Sequence, residues 1–370
     1  MREPAATRSY FIDRLRVGLT MLVIAHHTAI TYGAMGGWFY REAVPQGSLS
    51  SLLLSLFCAV NQAFFMGMFF LIAGYYTPAS FARKGTQRFL VDRLIRLGIP
   101  LLVFGYFLGP MTVAIAGMPA GKEFFETWGR LAQQFRFVGG PLWFAQALLL
   151  FAAAYAIWTL GFRRAGDSAP GKVPAARWWL AAALGVGLAS LLLRQWVPVG
   201  KEWWGLQVGY FASYIFLFAL GCVAARPGWL ERITRAEAAP WMVVSLLAIP
   251  MLPVAMKSVE NPASFLTGWT LAAAAYAFWE PFVAWGIIAG LLWLVREHGN
   301  QPHPLWQALG ERAYGAYIVH PPVIVGIAVA LHGWQAPPFV MFLTVAACGI
   351  AGSFALAGLL LGLPGARRVL

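Results

Sequence analysis

Charge is scarce in this chain of 370 residues: only 11% are Asp, Glu, Lys or Arg, against 60% that are hydrophobic. Soluble globular domains carry about 25% charged residues, so the scarcity excludes an ordinary soluble protein. The net charge of +13 would suggest nucleic acid in a soluble protein, but basic loops of a membrane protein explain it better. We therefore expect a lipid bilayer, and no nucleic acid, as partner.

Cysteine is nearly absent as well. Cys58, Cys222 and Cys348 lie in apolar runs, and their spacing matches neither a disulfide pair nor a metal site. We interpret them as small buried hydrophobic residues and expect no metal. The first apolar run is too long for a signal peptide and lacks a small-residue cleavage site, so we expect it to remain in the membrane.

Apolar runs of about 20 residues are abundant, and each is long enough to cross a hydrocarbon core of about 30 Å. We predict an all-α integral membrane protein, with one polytopic domain over residues 1–370. The longest helix is the eighth, for which we expect a tilt or a break, and Pro281 could supply the break. The ten predicted membrane helices cover residues 12–33, 52–76, 97–117, 140–161, 178–194, 206–224, 240–256, 267–295, 314–332 and 338–362.

The basic residues alternate in density along the chain. With the N-terminus inside, 20 of the 27 Lys and Arg residues fall in cytoplasmic segments and the remaining 7, Arg194 among them, in outer segments. This bias predicts that both the N- and C-termini are cytoplasmic. The expected location is a bacterial cytoplasmic (inner) membrane, crossed many times.

The first predicted helix carries ionisable residues at two depths. Arg16 and His27 are eleven residues apart, which is about 20° past three full turns, so both lie on one helix face. Their separation along the axis is ~16 Å. His26 lies about 80° from Arg16, so the two histidines cannot both face the same partner. An ionisable residue this deep in a membrane helix indicates a functional site.

Two further ionisable residues lie inside predicted helices. His320 is ~12 Å from the inner end of its helix, a depth comparable with that of His27. Glu280 is ~24 Å from the inner end of its own helix and so nearer the outer leaflet. Neither has a co-facial cationic partner visible in the sequence. A structural role stays open for both, because a buried histidine is often a satisfied core residue and a carboxylate in lipid needs a partner or a proton.

The cytoplasmic loop between helices 2 and 3 is strongly basic. Arg93 and Arg96 are i,i+3 neighbours on one side of a helix. Two interpretations remain open for this loop. It anchors the inner membrane surface, or it binds phosphate, because a guanidinium donates two parallel hydrogen bonds.

Two outer loops are rich in aromatic residues. The first, about 34–51, holds Trp38, Tyr40, Arg41 and Glu42; the second, about 118–139, is predicted to form a short helix in the interface. An aromatic belt at the membrane surface is the favoured interpretation of the second loop. A platform for a carbohydrate acceptor is the alternative.

Four segments, in this order, resemble the membrane-bound acyltransferase-3 family. Arg16, ten residues and His27 match the family signature in the first helix. The others are residues 64–75 with the basic loop up to residue 100, residues 141–144, and the segment ending in His320, Pro321 and Pro322. The chain differs in having Ala73 where many members have serine and Asp92 where many have a further arginine.

The resemblance implies an O-acyltransferase. It would move an acyl group, expected to be acetyl, from cytoplasmic acyl-CoA to a hydroxyl of an exported carbohydrate, glycolipid or lipid-linked acceptor. His27 is expected as general base, with Arg16, His320 and Glu280 in the same site. The oligomeric state is open, with a homodimer as one expectation, and no esterase domain is expected after helix 10. The residues expected to bind the acyl-CoA phosphates are Arg14, Arg16, Lys84, Arg88, Arg93 and Arg96.

Two other functions fit part of the pattern. Helices interrupted by glycine and proline, with buried His and Glu, also occur in proton-coupled transporters and flippases. The sequence shows no inverted repeat, which counts against that alternative. A structural scaffold would leave the co-facial Arg16 and His27 unexplained.

Overall fold

The computed structural model describes residues 9–44, 47–162 and 172–370. These residues form helices and loops, with two isolated β-bridges and no strand among them. The predicted all-α class is therefore confirmed for the described part of the chain. The basic residues Arg2, Arg8, Arg163 and Arg164 lie outside it.

The α-helices are numbered in chain order. Two π-helical turns, Leu94–Gly98 and Phe104–Leu108, connect α2, α3 and α4 without a break. The helices of the described residues are α1 (Tyr10–Thr31), α2 (Leu49–Arg93), α3 (Ile99–Val103), α4 (Gly109–Gly117), α5 (Phe124–Gln133), α6 (Trp143–Phe162), α7 (Ala176–Leu193), α8 (Phe211–Ala224), α9 (Arg235–Ala248), α10 (Met251–Lys257), α11 (Leu271–Gly299), α12 (Pro304–Ala330), α13 (Pro338–Leu360) and α14 (Ala366–Val369).

Seven helical segments of the described chain are long and apolar enough to cross a membrane. One of them, Leu49–Ala120, runs for 72 residues and contains the second and third predicted helices. The segment Val208–Ala224 is apolar but shorter. Each of the ten predicted ranges overlaps a helix. Ten membrane crossings and the cytoplasmic termini remain predictions.

Glycine and proline act differently from expectation in two long helices. α11 runs from Leu271 to Gly299 as one helix with Pro281 inside it, so the expected break at this proline is wrong. The interruption lies instead in α2, where Gly85 has φ 71° and ψ 169°. Only glycine adopts such a conformation without strain, and Gly85 turns the chain within the basic loop.

The bundle packs around α1, α2 and α12. α1 contacts α12, α2, α13 and α11, while α2 packs closely on α8. Gly74 permits the close packing of α2 on α8, because a Cβ at this position would lie 2.1 Å from the carbonyl oxygen of Phe218. The side-by-side packing of α1 and α12 brings together residues from opposite ends of the chain.

Candidate active site

His27 of α1 and His320 of α12 meet inside the bundle. His27 Nδ1 lies 2.9 Å from His320 Nε2, and the two ring planes are nearly parallel at 4°. His320 is completely buried. The comparable depths predicted from the rise per residue agree with this contact, which the sequence alone does not give.

The tautomers of the pair follow from its hydrogen bonds. His320 Nδ1 is 2.6 Å from the carbonyl oxygen of Tyr317, and a carbonyl only accepts, so this nitrogen carries a hydrogen. In the neutral pair His320 Nε2 is then the acceptor, and His27 Nδ1 donates to it. His27 Nε2 has no hydrogen-bond partner among the described residues and is left as an acceptor. A ring nitrogen oriented in this way by a second group can take a proton from a hydroxyl.

Proline explains why the carbonyl of Tyr317 is available. In a helix this carbonyl would accept from the backbone N–H four residues later, but that residue is Pro321, which has none. His320 Nδ1 takes the place of the missing donor. The order His320, Pro321 therefore fixes the histidine ring by local geometry alone.

Trp38 covers the histidine pair from the loop that follows α1. Its ring stacks on His27 with centroids 3.9 Å apart and planes at 8°. It is also parallel to His320, with centroids at 5.9 Å. Sequence reasoning placed Trp38 in the outer loop without a role, because the path of a loop over a helix end has no sequence signal.

His26 points elsewhere, as the helical geometry predicts. Its ring packs on Phe65 of α2, with centroids 5.0 Å apart, and the side chain is buried. The two adjacent histidines therefore have different partners, and only His27 contacts His320.

The arginines at the start of α1 differ in their surroundings. The Arg16 side chain is 40% exposed and lies 3.7 Å from Asp13, while Thr20 and Val23 between it and His27 are buried. Arg14 donates to the Gln301 carbonyl at 3.0 Å and lies over the Trp306 ring. Arg14 thus holds the N-terminal end of α12 against α1, while Arg16 stays accessible.

Asp92 organises the basic loop. Its carboxylate lies 2.8 Å from Lys84 Nζ and 3.6 Å from Arg96 Nε. Arg93 lies over the ring of Phe89 at 5.1 Å, and Arg88 is exposed. The structure thus brings Lys84, Arg93 and Arg96, three of the expected phosphate ligands, together around the carboxylate of Asp92.

Glu280 has a partner that the sequence analysis missed. Arg194, counted there among the outer cations, is buried and forms an ion pair with Glu280. It also donates to the Gly209 carbonyl at 3.0 Å and lies over the rings of Tyr210 and Tyr276. Glu280 therefore has a charged neighbour of its own, apart from the histidine pair.

Another cluster ties the Trp38 loop to the turn after α12. The Glu42 carboxylate accepts from His332 Nδ1 at 3.0 Å, from the Tyr40 hydroxyl and from the Gly333 amide. Burial alone would raise the pKa of the Glu42 carboxyl, but these hydrogen bonds outweigh burial and lower the pKa below its ordinary value. Glu42 is therefore a carboxylate at neutral pH.

The apolar helices and the pair of His27 with the buried His320 define a multi-pass membrane protein with a candidate acid–base site. The model of the acyltransferase 3 family, described as an acyltransferase domain, matches residues 9–361. The chain therefore belongs to the acyltransferase 3 family of membrane acyltransferases.

Curated relatives share shorter stretches of the chain. Glucans biosynthesis protein C of Escherichia coli O6:K15:H31 is 32% identical over 132 residues, which cover 36% of this chain and 32% of that protein. The protein of the same name from Salmonella paratyphi B is 35% identical over 102 residues, covering 28% and 25%. The chain thus spans a third or less of the length of these relatives in the alignments. No solved structure matches it.

Proposed function

We propose that this protein transfers an acetyl group from cytoplasmic acetyl-CoA to a hydroxyl of an exported carbohydrate or glycolipid. The observation that carries the proposal is the orientation of His27, whose Nδ1 is engaged by His320 while Nε2 has no partner in the part of the chain that the structure describes. The names of the relatives, glucans biosynthesis protein C, support a carbohydrate as acceptor.

In the proposed reaction His27 acts as general base. Its Nε2 takes the proton of the acceptor hydroxyl while that oxygen attacks the thioester carbonyl carbon. The new C–O bond forms, the C–S bond breaks, and His27 returns the proton to the departing thiolate of coenzyme A. His320 accepts from His27 Nδ1 throughout and keeps the reacting nitrogen in place, which is the role of the orienting group in such pairs.

The donor would enter from the basic surface. Arg16 lies ~16 Å from His27 along α1, a distance that an extended acyl-pantetheine arm spans. Phosphates held by Arg16, Arg93 and Arg96 at one end would leave the thioester near His27 at the other. Holding both ends of one ligand converts binding energy into orientation at the reacting carbon.

The acceptor would approach from the opposite side. Trp38 and its loop follow the C-terminal end of α1, so they lie on the outer side of the histidine pair in the predicted orientation. In this proposal an exported hydroxyl reaches the thioester carbon from the side of the Trp38 loop. We propose the bacterial inner membrane as location, with both termini cytoplasmic.

Purified protein with labelled acetyl-CoA and a glucan acceptor tests the proposal. His27→Ala should lower the rate of transfer about 10²- to 10⁴-fold, the usual contribution of a general base, while donor binding is retained. His26→Ala is the matched control and should cost much less, because its ring faces Phe65.

Two results would contradict the proposal. An inactive His26→Ala beside an active His27→Ala would show that His26, and not His27, is the base. If the wild-type protein moved the acceptor across the membrane of vesicles without transferring any acyl group, the protein would be a transporter instead.

A further inference from the structure

The indole of Trp38 presents a free donor beside the histidine pair. In the described part of the chain its Nε1 is buried and has no hydrogen-bond partner. An indole N–H only donates, and a buried donor without an acceptor costs free energy. The indole that carries this donor stacks on the His27 ring, with centroids 3.9 Å apart.

We propose that Trp38 is a catalytic residue whose Nε1–H donates to the carbonyl oxygen of the acyl group. The inference rests on the proposed function. As the acceptor oxygen attacks, the carbonyl π electrons move to this oxygen, which becomes an oxyanion. Trp38 stabilises the charge without moving a proton, and the electron pair returns to carbon when the C–S bond breaks and His27 protonates the thiolate.

The position of Trp38 suits this role better than one in which the indole only shields the histidine pair. A carbon attacked by an oxygen held at His27 Nε2 lies beside the imidazole, next to the parallel indole. A donor aimed at the developing charge and held before the reaction begins is the most effective kind of electrostatic stabilisation. Parallel stacking on two rings, His27 and His320, provides such rigidity.

Glu42 fixes the loop that carries Trp38. The Glu42 and Ala43 amides donate to the Thr31 carbonyl at 2.9 and 3.2 Å, which closes the loop on the end of α1. The Glu42 carboxylate, through His332 and Gly333, joins the same loop to the end of α12. Glu42 is therefore a positioning residue, because it holds the Trp38 loop against both helices that carry the histidines.

The decisive variant is Trp38→Phe, which keeps an aromatic ring for stacking and removes the N–H. We expect kcat to fall about 10²-fold, as when one oxyanion donor is lost, with the KM for acetyl-CoA nearly unchanged. Trp334→Phe is the control, because Trp334 is an exposed tryptophan on the neighbouring turn, and it should keep the wild-type kcat.

A double-mutant cycle tests the role of Glu42. Glu42→Gln should lower kcat in the wild-type background. It should have little further effect in Trp38→Phe, because both changes weaken the same interaction, the hydrogen bond that Trp38 Nε1 donates. Equal losses in both backgrounds would overturn the positioning role.

Two outcomes separate this inference from the proposed function. A Trp38→Phe protein with the wild-type kcat, beside an inactive His27→Ala, overturns the inference and leaves the function standing. A wild-type protein that transfers no acyl group overturns both.

Discussion

Arg194 and Glu280 form an ion pair in the interior, between the end of α7 and the middle of α11. Their side chains are 1% and 8% exposed. Removing two ions from water is costly, so such a pair adds little net stability, but the loss of one partner leaves an uncompensated buried charge. The pair therefore makes the two residues mutually dependent.

Glu280→Ala should destabilise the protein by about 3–5 kcal/mol, because Arg194 then remains buried without its counter-ion. The double variant Arg194→Met, Glu280→Leu should recover much of this loss, since it removes both charges and keeps the volume. Apparent Tm in detergent measures both. A double variant less stable than Glu280→Ala alone would show that the uncompensated charge is not the main cost of the single change.

His320→Gln should lower kcat less than His27→Gln does. His320 orients the base, whereas His27 transfers the proton, and glutamine can still accept a hydrogen bond from His27 Nδ1. Rates at saturating acetyl-CoA for the two variants decide the order. A larger loss at His320 would make it the base and reverse the assignment.

Pro321→Ala should lower kcat several-fold. The new backbone N–H would compete with His320 Nδ1 for the Tyr317 carbonyl and loosen the ring that orients His27. Pro322→Ala is the matched control, because its missing N–H corresponds to a different carbonyl. Equal rates for the two variants would mean that the ring is held by other contacts.

Arg96→Ala and Arg93→Ala should mainly raise the KM for acetyl-CoA, and added salt should do the same. Asp92→Asn should lower it, because Asp92 occupies Lys84 and Arg96 in the free protein. Arg130→Ala, on the predicted outer surface, serves as control. A donor KM that none of these changes moves would place the phosphates elsewhere.

The predicted orientation is tested by labelling single cysteines in a chain whose three native cysteines are replaced. A cysteine at position 130 should react with an impermeant reagent added outside intact cells, and one at position 88 only after the cells are opened. The expectation follows from the excess of Lys and Arg in the segments assigned to the inside. The reverse pattern would invert the topology.

Local rules predicted one part of the site well. The rise per residue gave His27 and His320 similar depths, and 100° per residue separated His26 from His27, as the structure has it. These results need only the geometry of single helices.

The features that the geometry of single helices did not predict depend on contacts between residues far apart in the sequence. Arg194 follows the end of α7 and resembled an outer cation, because its partner Glu280 lies 86 positions away. The path that sets Trp38 over His27 is fixed by Glu42 and a turn 290 positions later. Pro281 was the candidate for a break, the alternative to a tilt, but α11 continues past it.

The contact between His27 and His320 joins residues 293 positions apart, and this has a consequence for biogenesis. Chains are made from the N-terminus, so α1 is complete while α12 is still to be synthesised. The partial chain holds one histidine without its orienting partner and cannot carry out the proposed chemistry. The proposed chemistry therefore becomes possible only once α12, Pro304–Ala330, has been made.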